Sequence, residues 1–82
     1  MKALKTWHAG RNVKPATIIP VPAAMEAMVF LAIFIESCME DGYKVVASYG
    51  NPHTFCVQKR GNKDNPVLVI QLAEVAEAKQ AS

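Results

Sequence analysis

Residues 23–42, AAMEAMVFLAIFIESCMEDG, decide how the rest of the chain is read, because their pattern is that of a helix apolar nearly all the way round. Ala24, Met28, Leu31, Ile35 and Cys38 recur at alternating spacings of three and four, which aligns them along one helical face. Glu26, Phe30, Ile33, Ser37 and Glu40 make the opposite face, and its middle is equally apolar. One sheet covers one face of a helix, so Phe30 and Ile33 require a second cover, from the chain itself or from another molecule. The pattern predicts a helix over residues 23–41 in a protein that binds protein. Phe30, Ile33, Glu26 and Ser37 are its candidate interface residues.

The flanks of this segment supply its punctuation. Pro22 suits a first helical turn, where a missing N–H costs nothing, and Glu26 complements the helix dipole. Gly42 provides the C-terminal stop. Upstream, Ala3–Trp7 (ALKTW) reads as a short strand and Thr17–Val21 (TIIPV) as a second. Pro15, Pro20 and Pro22 confine the latter to an edge or an extended arm, because proline cannot donate to a central ladder. Downstream the period changes from 3.6 to 2. Strands are predicted at Tyr43–Tyr49, His53–Arg60 and Val67–Leu72, separated by Gly50-Asn51-Pro52 and by the polar hairpin Gly61–Asn65. Ala73–Ala81 is rich in alanine and glutamate and reads as a short frayed helix. The expected fold is an α+β two-layer sandwich in a single domain. It comprises an N-terminal extended arm or hairpin (1–22), one long apolar helix (23–41), a three-stranded antiparallel meander (43–73) and a short C-terminal helix or tail (74–82).

At 82 residues the chain is near the lower size for a self-sufficient core, which gives a second reason to expect association, as a homodimer or with a partner. A hydrophobic fraction of 51% against 20% charged excludes an intrinsically disordered chain. Nine basic and seven acidic side chains leave a net charge of +2, too weak a bias to argue for a dedicated nucleic-acid binder. Cys38 and Cys56 are too few for a disulfide framework and read as free thiols in a reducing cytoplasm. The unbroken apolar run Ala27–Ile35 is nine residues, far short of the roughly 20 that span a bilayer. No small-x-small cleavage site follows it, so neither a membrane span nor an exported chain is expected.

No catalytic signature emerges. His8, Cys38, His53 and Cys56 could be proposed as metal ligands, but the one tight pair, His53 and Cys56, is separated by an odd offset that sends the side chains to opposite faces of a strand. Zinc sites use paired short spacings that converge. Cys38 lies on the apolar helix stripe, where a thiol is inert, and the four glycines are isolated turn residues rather than a phosphate loop. Glu36, Glu40 and Asp41 read as the solvated end of a helix. No enzyme activity, metal or cofactor is expected.

Lys59, Arg60 and Lys63 crowd one hairpin loop, and Trp7, Tyr43, Tyr49 and Phe55 are available for stacking on bases. The order of helix, three strands and a closing Glu-Ala-Lys-Gln-Ala-Ser segment, with Tyr49-Gly50-Asn51-Pro52-His53 at the turn, loosely resembles the double-stranded-RNA-binding domain. The resemblance runs from Ala23 to the end and implies that residues around His53 and Lys79 face RNA. The primary expectation remains a small non-enzymatic protein-binding module, a cytoplasmic regulator or inhibitor of the kind that phages and mobile elements encode. The alternative is a weak nucleic-acid binder using Lys59, Arg60, Lys63 and His53.

Overall fold

The computed structural model describes residues 1–10 and 15–75. The element order is β1 (Lys2–Ala9), β2 (Thr17–Pro20), α1 (Ala27–Glu40), β3 (Tyr43–Gly50), β4 (His53–Lys59) and β5 (Val67–Glu74). All five strands join one antiparallel sheet in the order β2-β1-β5-β4-β3. The two strands that flank the helix in sequence, β2 and β3, are therefore the two edges of the sheet. They run in the same direction, and α1 connects them across one face.

This corrects the expected architecture in three places. The meander β3-β4-β5 forms, but it is three-fifths of a larger sheet. Of the extended arm or hairpin expected over residues 1–22, the paired strands form, but β1 is no peripheral element: it is an interior strand that also pairs with β5 at all eight positions from Lys2↔Glu74 to Ala9↔Val67. The helix is fourteen residues long rather than a span over residues 23–41. Pro22 opens a turn, closed by the Met25 N–H on the Pro22 carbonyl at 3.0 Å, and Glu26 is still extended, with φ −71° and ψ 139°. Last, Ala73 and Glu74 continue β5 instead of starting a helix. Alanine and glutamate favour helix in isolation, but eight cross-strand pairs override so weak a preference. The rest of the expected C-terminal helix, from Ala76 onward, lies outside the described residues.

The element order of the double-stranded-RNA-binding domain is not reproduced among the described residues. Two paired strands precede the helix, and β1 occupies the edge of β5 that a three-stranded sheet would leave open.

The core forms where the underside of α1 meets the sheet. Leu31 and Ile35 pack with Leu4, Ile70 and Val57, all buried, and Ile19, Phe30, Phe34, Cys38, Tyr43, Phe55, Leu68 and Leu72 surround them. The strand residues of this set share one face, since Ile19, Leu4 and Leu72 are successive partners across three strands. Ile70 pairs with Phe55, and Leu68 with Val57. The opposite face carries the alternate residues, with Trp7, Val69, Cys56 and Ala47 in one row. At the end of α1 the Asp41 and Gly42 N–H groups close on the Ser37, Cys38 and Met39 carbonyls. Gly42 adopts φ +94°, a left-handed conformation that favours glycine, so the expected stop is where the chain turns into β3.

Candidate functional site

On α1 the sheet-facing arc runs from Phe30 through Phe34, Cys38 and Leu31 to Ile35, and the rest of the circumference meets solvent. A solvent-facing arc of a globular-protein helix is normally polar. Here it holds Met28, Val29, Ile33 and Met39, exposed by 43, 48, 49 and 50%, interrupted by Glu36, Ser37 and Glu40. No basic residue occurs anywhere in α1.

Two features give this surface relief. Along one flank, Met28, Ala32, Glu36 and Met39 overhang Phe55 of β4 to form an apolar groove of about 300 Å³, with Leu31 and Ile35 beneath. At the N-terminal end of the helix it continues through Met28 into a wider depression lined by Val21, Pro22, Met25, Leu72 and His53. Beside the groove lies β3, an edge strand of eight residues whose outer backbone groups have no strand partner among the described residues. The register shift between Val45 and Ala47 marks a bulge, and Val45, Val46 and Tyr49 are exposed there. The other edge, β2, has four residues and ends in Pro20, which blunts it as a pairing template.

The residues singled out from sequence separate accordingly. Phe30 turns partly under the helix and packs against the core, whereas Ile33 stands in solvent. Glu26 and Ser37 are both exposed. The described part of the N-terminal segment does not cover Ile33, because β2 lies in the plane of the sheet and sends Ile19 into the core. Met28, which the helical spacing aligned with Leu31 and Ile35, belongs to the exposed flank together with Met39. The signal for them was their position beside Ile35 at the margin of the stripe.

Lys59, Arg60 and Lys63 do come together at the β4–β5 turn, and Lys44 of β3 joins them around a polar pocket of about 260 Å³. His53 does not. It begins β4 at the far end of the strand and borders the helix groove instead. His8 and the two cysteines are likewise dispersed, and Cys56 stands on the opposite face of β4 from His53. Among the described residues no group of three or more metal-ligating side chains occurs. Burial, with the Asp41 carboxylate second, pushes the Cys38 thiol above its ordinary range, so little of it is the nucleophilic thiolate at neutral pH. No helix among the described residues is long and apolar enough to cross a membrane.

No protein-family model, curated protein or solved structure matches the chain.

Proposed function

We propose that this protein is a non-enzymatic protein-binding module, a small cytoplasmic regulator or inhibitor that occupies a surface of a larger partner through the solvent side of α1. One observation carries the reading: Met28, Val29, Ile33 and Met39 are about half exposed on a single short helix. Water is removed from such side chains at a gain of about 25 cal/mol per Å² of apolar area, and contiguous apolar patches of this kind mark interaction sites. The rim defines the partner's chemistry. Glu36 and Glu40 border the patch and α1 carries no cation. The complementary surface therefore offers apolar anchors flanked by lysine or arginine, as on an amphipathic helix laid into the groove beside Phe55. A second copy of α1 would bring carboxylates against carboxylates.

The test uses tagged wild-type protein and the double variant Val29→Glu/Ile33→Glu as bait in a native lysate treated with nuclease. The expected result is one stoichiometric partner, bearing a basic apolar segment, that the variant no longer holds. Equal capture by both would remove the helix face from the interaction. Light scattering on the same samples tests the homodimer: a wild-type dimer that the variant converts to monomer would make the second copy the occupant.

The alternative, nucleic-acid binding, is favoured by the convergence of Lys44 with Lys59, Arg60 and Lys63, but no aromatic side chain lines that pocket. The stacking half of that reading therefore lacks a platform there.

A further inference from the structure

Four basic residues gather where β4 turns into β5, next to the C-terminal end of α1. Lys44 comes from β3, Lys59 from the last position of β4, and Arg60 and Lys63 from the turn that follows. Together with Gln58, Gly61 and Asn62 they enclose the polar pocket of about 260 Å³. None of the four makes an ion pair among the described residues. Asp64 lies in the same turn, yet the carboxylate bridges nothing there: what binds at Asp64 is its backbone N–H, which donates to Asn62 Oδ1 at 2.8 Å.

The cations stand on a braced frame. Gln58 Nε2 donates to the carbonyls of Lys63, at 3.0 Å, and Asn65, at 2.8 Å. Asn65 Nδ2 returns to the Lys59 carbonyl at 3.2 Å, and the Asn65 N–H closes on the Asn62 carbonyl at 3.0 Å. Lys59 is itself pinned. Its ammonium donates to the Asp41 carbonyl at 2.8 Å and sits 5.2 Å from the centre of the Tyr43 ring. The Lys59 ammonium is thereby drawn to the α1 side of the sheet, the face opposite to Lys44 and Gln58, and Lys44, Arg60 and Lys63 supply the cations of the pocket. Less conformational freedom is lost on binding at a site built this way.

We propose that this pocket binds a phosphate-bearing ligand through two or more adjacent phosphate groups, recognising their oxyanions and not the group that carries them. Lys44, Arg60 and Lys63 around one pocket match several negative charges on one ligand, with Arg60 able to bind two oxygens of one phosphate. The lining contains no aromatic or aliphatic side chain beyond the lysine stems, so a base or sugar gains no contact and is not discriminated. The inference is independent of the protein-binding reading, since it uses no residue of the α1 surface.

Calorimetric titration of the intact protein with inorganic tripolyphosphate at low ionic strength tests it, beside a nucleoside triphosphate and a single-stranded oligonucleotide. Tripolyphosphate and the nucleoside triphosphate are expected to bind at one site with equal affinity, weakened by added salt. The exposed pair Lys44→Gln/Arg60→Gln is expected to lose at least about tenfold, the scale of one or two charge-assisted hydrogen bonds. Lys5→Gln, on β1, removes one charge elsewhere and is expected to change nothing. Circular dichroism establishes that each variant is folded. Absence of tripolyphosphate binding overturns the proposal, as does an equal loss in Lys5→Gln, which would mean attraction to net charge alone. Binding of the oligonucleotide without tripolyphosphate would replace the pocket with an extended nucleic-acid surface and also overturn it.

Discussion

Glu74 ties one corner of the sheet together. Its carboxylate accepts from the Met1 ammonium at 2.6 Å and faces Lys2 Nζ at 3.4 Å, while the Val75 N–H donates to the Met1 carbonyl at 2.8 Å. Those hydrogen bonds, from the terminal ammonium first and Lys2 second, hold the Glu74 carboxyl below its ordinary range. A depressed carboxyl stabilises the folded state above its unfolded value, and the contribution disappears as pH falls through the folded value. Glu74→Gln is therefore expected to lower the denaturation midpoint at neutral pH, with a gap to wild type that closes in acid. The gap is also expected to shrink with salt, because both partners are exposed. Urea titrations at neutral and acidic pH measure this directly. A gap that widened in acid would contradict the pairing. Nothing in the sequence around Glu74, which reads as the start of a helix, announces a contact with residues more than seventy positions away.

Along α1, neighbours in sequence have opposite tasks. Leu31 is buried against Leu4, Val57 and Ile70, whereas Ile33, two positions on, stands in solvent. Leu31→Ala is expected to cost about 2–5 kcal/mol through lost transfer energy and the cavity left behind. Ile33→Ala is expected to stay within about 0.5 kcal/mol. Equilibrium denaturation of the two variants checks the contrast, and similar losses at both sites would mean that Ile33 is covered in the isolated protein. The helical period read from sequence placed Leu31, Ile35 and Cys38 together correctly and recognised that the helix has more apolar surface than one sheet can cover. It did not show where the buried arc ends. Packing rotates that arc toward Phe30 and Phe34 and leaves Met28 at its margin, and this rotation depends on the sheet beneath. The same limit applies to the basic turn. Lys59, Arg60 and Lys63 are close in sequence, but Lys44 reaches them only because it pairs with Gln58 across the β3–β4 ladder.

Taken whole, the molecule is a sheet closed by its ends: β1 and β5, from opposite ends of the described chain, lie beside each other at its centre. Deleting residues 1–9 is expected to abolish cooperative thermal unfolding, since it removes an interior strand and with it the buried Leu4. Loss of a peripheral arm would leave a cooperative transition, so calorimetry on the truncated chain distinguishes the two. Local chemistry was legible in advance: the helix stop at Gly42, the breaks at Asn51-Pro52 and Gly61–Asn65, the confinement of proline-bearing Thr17–Pro20 to an edge, and the presence of a helix too apolar for one layer. Each of these rests on dihedral preference or hydrophobic period, properties of a few consecutive residues. The centrality of Lys2–Ala9 and the continuation of the Val67–Leu72 strand through Ala73 and Glu74 were not legible. The β1 sequence mixes Lys5, Thr6 and His8 among its apolar residues and hides its alternation. Its pairing with β5 spans most of the chain, and such a contact is selected only when the backbone groups of both strands find each other in the folded state.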